Sequence, residues 1–172
     1  MEGAYRQLIV WSPGEEEILG GYRFLCGSDV KFDDQGKPIL ATAHLFNFSE
    51  DFLVNYLPYT VELGRSFVSL DYQATLGRSK GIFILDNLWD GLGSLPVIDP
   101  SLKSFYGKVT MYTTYDTKAR YMLLYFLKIH FPDKDGLVTP IHPLEPHSDE
   151  EKLAKLFHPN NFKEDFKLLN TE

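Results

Sequence analysis

The sequence predicts an α/β or α+β fold in which a mixed, twisted β-sheet is flanked by helices. Strand-like apolar segments dominate the first half of the chain, and helical patterns alternate with strands in the second half, in the order β-β-(α)-β-α-β-α. The 172 residues, 44% of them hydrophobic, are enough to bury one core without disulfides or metal. We therefore expect a single domain over residues 1–172.

The first two strands are predicted at residues 5–11 and 18–26, which are rich in apolar and β-branched side chains. Ser12-Pro13-Gly14 separates them. Gly20-Gly21 inside the second segment indicates a bulge or a close approach of another part of the backbone, and residues 33–36 form a turn.

Ser49 is a candidate N-cap for a short helix, and a strand follows at residues 59–70. After a polar loop at 71–79 we expect a helix that ends at Gly91 and Gly93. The apolar face of that helix is predicted from helical spacing to consist of Ile82, Leu85, Trp89 and Leu92.

The last third predicts a strand at residues 108–112 and then a mostly buried helix that Asp116 or Thr117 caps and Pro132 stops. Ser148 and Glu151 form a capping box for a last short helix. The stretch between these two helices carries three prolines and predicts an extended connection.

Composition excludes several classes of function. A formal net charge of −7 argues against nonspecific nucleic-acid binding. The single cysteine, Cys26, cannot form an internal disulfide, nothing at the N-terminus resembles a signal peptide, and no apolar run approaches about 18 residues. We expect a cytoplasmic protein that contacts a membrane surface transiently at most.

Glu62 and Arg65 are the first candidates for chemistry. In a regular strand, Val61, Leu63, Arg65 and Phe67 would share one face, leaving Arg65 among apolar neighbours and Glu62 on the opposite side. A bulge near Gly64 would re-aim one side chain. It would bring a carboxylate and a guanidinium together at a cleft, whereas the alternative is a structural ion pair on a sheet.

Two further segments could contact a ligand. Arg78, Lys80 and Gly81 lie at a predicted helix start, where free backbone N–H groups could bind a phosphate or pyrophosphate; the alternative is a solvated loop. The tyrosine-rich run from Tyr106 to Tyr115 ends at another helix start. A tyrosine there, such as Tyr115, could protonate a leaving thiolate, although such residues more often only pack.

Other chemistries have weak support. His142, Glu145 and His147 lack helical metal-ligand spacing, so we predict no metal site. Cys26 and His44 have no local nucleophile signature around them, and Lys80-Gly81 lacks the rest of a P-loop.

Four motifs carry a resemblance to known proteins, and they are Leu19-Gly20-Gly21-Tyr22-Arg23-Phe24, His44-Leu45-Phe46-Asn47-Phe48, Glu62-Leu63-Gly64-Arg65-Ser66-Phe67-Val68 and Asp86-Asn87-Leu88-Trp89-Asp90-Gly91-Leu92-Gly93. Together they resemble the haemolysin-like N-acyl amino acid synthases of bacteria, which include ornithine-lipid and glycine N-acyltransferases, and most closely the glycine group. The resemblance covers nearly the whole chain.

The resemblance implies a GNAT-like fold related to the acyl-homoserine lactone synthases. It also implies that Glu62 positions or deprotonates an amine through a water, while Arg65 and Arg23 organise the site. The thioester would enter between the strand ending near Val68 and the one beginning at Lys108. Only the first half of the GNAT cofactor signature matches, because Phe83 stands at its last small position. This favours an acyl-phosphopantetheine arm delivered by acyl carrier protein over free CoA.

The implied reaction moves a fatty or 3-hydroxy fatty acyl group onto a small amino acid, glycine rather than ornithine, in aminolipid biosynthesis. An acidic carrier protein would need basic contacts, for which the candidates are Arg78, Lys80, Lys108, Lys118 and Arg120. Family members extend at both ends, so this chain is expected to be a truncated copy. A lactone-signal synthase and a non-catalytic acyl- or protein-binding module remain as alternatives.

Overall fold

The computed structural model describes residues 5–73, 78–112, 114–144 and 150–170, without the side chains of residues 78–80. By its internal contacts the chain divides into two compact units, Met1–Lys108 and Val109–Glu172. The two units are described in turn.

The first unit is built on a four-stranded mixed sheet with strand order β1-β2-β4-β5. β1 (Arg6–Ser12) pairs antiparallel with β2 (Glu17–Cys26), which pairs antiparallel with β4 (Thr60–Val68). β4 then pairs in parallel with β5 (Ser104–Gly107). The mixed sheet agrees with the predicted fold class.

One face of this sheet packs against the long helix α1 (Arg78–Ile98). Ile84, Leu88 and Leu92 are its buried residues, whereas Trp89 is 61% exposed. The predicted apolar face of Ile82, Leu85 and Trp89 was therefore wrong. The rotation of α1 is set by a close approach to β2, since a Cβ at Gly20 would lie 2.8 Å from Ile84 Cγ2.

The predicted end of α1 was also wrong, because the helix continues through Gly91 and Gly93. A glycine inside a helix costs only about 1 kcal/mol relative to alanine, and the burial of Ile84, Leu88 and Leu92 outweighs this cost. Gly91 also has a packing reason: a Cβ there would lie 2.9 Å from Leu8 Cδ2 on the sheet.

β5 occupies a different segment from the strand predicted at residues 108–112. It begins after buried Leu102 and ends at Gly107, while Val109 is 93% exposed and lies outside any strand. The apolar residues at 108–112 suggested a strand, but the parallel pairing with β4 is made by the preceding four residues.

The opposite face of the sheet is covered by residues 38–59. This segment contains the short strand β3 (Phe46–Phe48) and a π-helical turn at Phe52–Tyr56. Ser49 caps that turn as predicted, because its hydroxyl accepts a hydrogen bond from Phe52 N–H at 3.1 Å. The rings of Phe46, Phe48 and Phe52 pack around Tyr106 of β5.

The second unit contains α2 (Thr117–His130), β6 (Val138–Pro140), α3 (Glu150–Leu156) and α4 (Phe162–Leu169). Asp116 caps α2 as predicted, accepting a hydrogen bond from Ala119 N–H. α4 was missed, and Ser148, the predicted cap of α3, lies outside the described residues. The core of this unit is a cluster of four buried side chains, Met122, Phe126, Leu153 and Phe157.

Within the described residues, no helix combines the length and the apolar character that crossing a bilayer would require.

Candidate active site

A bulge in β4 is the central feature of the candidate site. Gly64 pairs with Arg23 and Phe67 with Gly21, so two residues of β4, Arg65 and Ser66, lie opposite one residue of β2. Arg65 adopts a left-handed conformation with φ of 48°. A bulge near Gly64 was predicted, and it leaves backbone groups of β4 outside the regular ladder.

The bulge also reassigns side chains to the two faces of the sheet. Cross-strand partners point to the same side, so Glu62, Gly64 and Phe67 share the face of Arg23. Val61 and Leu63 lie on the α1 side, in the cluster with Phe24. A regular strand would instead have placed Phe67 with Leu63.

β4 and β5 stop pairing at this same position. Their parallel register ends with Leu63 opposite Gly107, and β4 continues for another five residues to Val68. The bulge therefore lies where β4 has no pairing with β5. The predicted opening lay between the strand ending near Val68 and a strand beginning at Lys108, and its second strand was wrong, because Lys108 follows β5 instead of beginning a strand. Entry of a ligand where β4 and β5 part stays a prediction.

An apolar groove of about 620 Å³ lies beside the end of β4. Its lining consists of Ser66, Phe67, Val68, Tyr72, Gln73, Gly81, Ile82 and Leu85. Gly81 is needed for its shape, because a Cβ there would lie 2.6 Å from the carbonyl oxygen of Tyr72. The groove has the size and the apolar lining that an acyl or pantetheine chain requires.

The structure places the predicted basic residues on several segments. Arg78 and Lys80 lie in the first turn of α1, where their side chains are not described, and Lys108 is an exposed residue after β5. Lys118 and Arg120 belong to α2 of the second unit. A shared role for these five residues stays a prediction.

Glu62 does not form the predicted pair with Arg65. Its carboxylate is 3% exposed and accepts hydrogen bonds from the Tyr5 hydroxyl, the N–H groups of Ala41 and Thr42, and the Thr42 hydroxyl. Arg65 is exposed, and the described residues give it no ion pair with Glu62. The expected ion pair is absent because the bulge turns the chain at Arg65 while Glu62 is held by the segment above the sheet.

Arg23 and Tyr5 stack beside this carboxylate. The guanidinium carbon of Arg23 lies 4.2 Å from the centre of the Tyr5 ring. Burial, followed by the hydrogen bond to Glu62, raises the pKa of Tyr5 to about 12. Tyr5 therefore stays protonated at neutral pH and donates a hydrogen bond to Glu62.

Tyr106 of β5 also lies beside Glu62, because the two residues are partners in the parallel register. Burial raises the pKa of its phenol. Among the described residues, neither the Tyr106 hydroxyl nor Arg23 Nε makes a hydrogen bond of normal geometry, although both atoms are buried and the Thr42 hydroxyl is near enough to lower the pKa of the Tyr106 phenol. Sequence patterns missed Tyr5 and Thr42 because both are distant from Glu62 along the chain.

The remaining predicted residues lie elsewhere. Tyr115 belongs to the second unit, where it is 51% exposed and packs edge-on against Tyr112. Its proposed role as an acid stays a prediction. Glu145 and His147, from the metal site that we predicted to be absent, lie outside the described residues.

Comparison with known proteins shows what this chain is similar to. Residues 2–79 match a family model described as an acetyltransferase (GNAT) domain. The whole chain is 63% identical to the glycine N(alpha)-acyltransferase of Phocaeicola vulgatus, covering 53% of that protein. It is 60% identical to the glycine N(alpha)-acyltransferase of Bacteroides thetaiotaomicron, covering 51%.

The chain thus spans about half the length of the curated relatives that it matches. No solved structure matches it significantly. The comparisons confirm the predicted GNAT fold and the resemblance to the glycine group of N-acyltransferases.

Proposed function

We propose that this chain, a GNAT-domain homologue of the bacterial glycine N(alpha)-acyltransferases, takes part in transferring a fatty acyl group from a carrier thioester to the amine of glycine. The observation that carries the proposal is the β4 bulge, which lies where β4 and β5 part and beside an apolar groove.

The proposed chemistry is direct attack. The neutral amine forms a bond to the thioester carbonyl carbon, and the carbonyl electrons move onto oxygen to give a tetrahedral oxyanion. The carbon–sulfur bond then breaks, the thiolate takes up a proton, and the nitrogen loses one. No covalent enzyme intermediate is needed, and holding the amine against the carbonyl supplies much of the rate.

Backbone N–H groups at the bulge would stabilise the oxyanion. A bulge leaves donors that the ladder does not use, and donors fixed in place before the reaction stabilise a developing charge most effectively. Phe67 and Val68 at the end of β4, with Ile82 and Leu85 of α1, would hold the acyl chain or the pantetheine arm.

Glu62 would act by positioning. Four hydrogen bonds already engage its carboxylate, which leaves little capacity to take a proton from an amine or a water. The carboxylate instead ties Tyr5 and the segment of Ala41 and Thr42 onto the face of the sheet that carries Gly64. Proton return to the thiolate by Tyr115 remains part of the proposal.

We propose acyl carrier protein rather than CoA as the donor. Phe83 replaces a small residue of the GNAT cofactor signature and is 64% exposed on the first turns of α1. A bulky ring there would obstruct a nucleotide. The basic residues named above would contact the acidic carrier, and the product would supply aminolipid synthesis.

The direct test incubates the purified chain with ¹³C-glycine and either palmitoyl-acyl carrier protein or palmitoyl-CoA, followed by mass spectrometry. We expect labelled N-palmitoylglycine, formed faster from the carrier protein. Absence of an N-acyl product with both donors would reject the transferase, and equal rates would reject the donor assignment. A product with the mass of an acyl-homoserine lactone, in a reaction given S-adenosylmethionine, would favour the lactone synthase.

A further inference from the structure

A recess lies over Gly64 on the sheet face that carries Glu62. A Cβ added at Gly64 would meet no atom within 4 Å, so the space above this residue is open. Arg23 is the cross-strand partner of Gly64, and Tyr106 is the β5 partner of Glu62. We call this space, bordered by Arg23, Glu62 and Tyr106, the Gly64 recess.

Two side chains at the border of the Gly64 recess carry buried donors that make no hydrogen bond of normal geometry with a described residue. They are Arg23 Nε–H and the Tyr106 hydroxyl, although the Thr42 hydroxyl lies near enough to Tyr106 to lower the pKa of its phenol. Buried donors in folded proteins are nearly always satisfied, so a pair of unsatisfied donors on one face calls for an acceptor. A bound ligand would supply it.

The charged side chains around the Gly64 recess, Glu62 and Arg23, indicate which kind of ligand would bind there. The lone pairs of Glu62 are engaged by Tyr5, Ala41 and Thr42, so this carboxylate does not pair with Arg23. Arg23 has no ion pair among the described residues, and its guanidinium lies over the Tyr5 ring. A planar guanidinium recognises a carboxylate with two oxygens better than a neutral group.

We propose that the Gly64 recess binds the carboxylate of the acceptor amino acid, through Arg23 and Tyr106. This inference rests on the proposed transferase function and names how its acceptor is recognised. In an α-amino acid the amine is two bonds from the carboxyl carbon. A carboxylate held over Gly64 therefore keeps the amine close to Arg65 and Ser66, where the bulge would hold the thioester carbonyl.

The test measures binding instead of turnover. Isothermal titration calorimetry at pH 7 compares N-decanoylglycine, which carries the carboxylate, with N-decanoylglycinamide, which lacks the charge. We expect the full chain to bind the acid at least about tenfold more tightly, as charge-assisted hydrogen bonds allow.

Three variants probe the Gly64 recess. Arg23→Gln should abolish the preference for N-decanoylglycine over its amide. Tyr106→Phe should reduce this preference, and it keeps the ring contacts with Phe46, Phe48 and Phe52. Gly64→Ala should weaken binding of both ligands without unfolding the chain, because the added methyl group fills only open space.

Matched controls remove the same chemical groups elsewhere in the first unit. Arg6→Gln removes an exposed arginine paired with Asp29, and Tyr59→Phe removes a phenol whose ring stacks with Lys103. Both should keep the preference for the acid. Circular dichroism spectra verify that every variant is folded.

The outcomes separate this inference from the proposed function. The recess assignment would be overturned, and the transferase would stand, if the chain forms N-acylglycine but shows no preference for N-decanoylglycine. It would also be overturned if that preference survives in both Arg23→Gln and Tyr106→Phe. An acid preference that these variants remove would support the assignment even if no turnover were found, and only the transferase would then be rejected.

Discussion

At the residue scale, the buried carboxylate of Glu62 organises its surroundings through hydrogen bonds. The carboxylate accepts hydrogen bonds from Tyr5, at one end of the first unit, and from Ala41 and Thr42 in the segment 38–59 that covers the sheet. A buried carboxylate is costly unless such donors satisfy it, so losing any one of them should weaken the segment that it anchors.

The Tyr5 phenol gives this arrangement a dependence on pH. Burial and the hydrogen bond to Glu62 raise its pKa to about 12 from the ordinary value of 10.0, so folding favours the protonated form. Its contribution to the free energy of unfolding is complete below pH 10 and is lost as the pH rises to 12. The stability difference between the protein and Tyr5→Phe, measured by urea denaturation, should shrink over that window. A difference that is constant from pH 9 to 12 would contradict the assignment.

At the element scale, Gly20 and Gly21 allow both faces of β2 to pack closely opposite the β4 bulge. A Cβ at Gly20 would lie 2.8 Å from Ile84, and one at Gly21 would lie 2.9 Å from the Phe67 ring. The paired glycines thus serve close approach, and a bulge lies next to them, because β2 has one extra residue, Leu19, between the partners of Val10 and Trp11. Both explanations predicted for this segment are confirmed. Together the two glycines place α1 and Phe67 beside the groove.

Two glycine substitutions should have opposite effects on stability. Gly20→Ala should cost about 1–3 kcal/mol, because the methyl group overlaps Ile84 and the backbone oxygen of Phe67. Gly93→Ala should stabilise by about 0.5–1 kcal/mol, because its site in α1 is open and alanine favours helix. Urea denaturation measures both, and equal effects would refute the packing argument.

Filling the groove should discriminate between acyl chains. Leu85→Trp adds a ring to the groove wall, so kcat/KM for a palmitoyl donor should fall by at least about tenfold while an acetyl donor is less affected. Val97→Trp, at a position of α1 that is 79% exposed and outside the groove lining, is the control. A uniform loss for both donors would place the acyl chain elsewhere.

At the scale of the whole molecule, each of the two compact units has a hydrophobic cluster of its own. The second unit also contains a buried hydrogen-bonded pair, in which His130 Nε2 lies 2.8 Å from Asp165 Oδ2, while Asp165 also accepts a hydrogen bond from His158 N–H. This pair ties α4 to the end of α2 within the second unit.

Replacing Asp165 should therefore destabilise the second unit selectively. Asp165→Ala removes the hydrogen-bond partner of the buried His130 ring and of the His158 N–H, and should cost about 3 kcal/mol. Both tryptophans, Trp11 and Trp89, lie in the first unit, so their fluorescence reports on that unit alone, whereas circular dichroism also reports α2 to α4. The dichroism transition should shift to lower temperature while the fluorescence transition stays. A common shift would show that the units unfold as one.

Local patterns predicted much of this molecule. β1, β2, β4 and α2 lie within a few residues of their predicted bounds, and the caps at Ser49 and Asp116 are confirmed. These features depend on side chains close together in sequence. The predictions of the apolar face of α1 and of a strand at 108–112 were wrong, because both features depend on packing against other elements.

The sequence by itself determined the mixed α/β class, the GNAT resemblance and the presence of a bulge near Gly64, since alternation, capping and glycine placement act through neighbouring residues. Only the tertiary structure decided that Glu62 is enclosed by Tyr5 and Thr42 while Arg65 is left exposed. Tyr5 is 57 residues and Thr42 is 20 residues from Glu62, and contacts over such separations are created by folding the sheet and its covering segment together. No local pattern can report them.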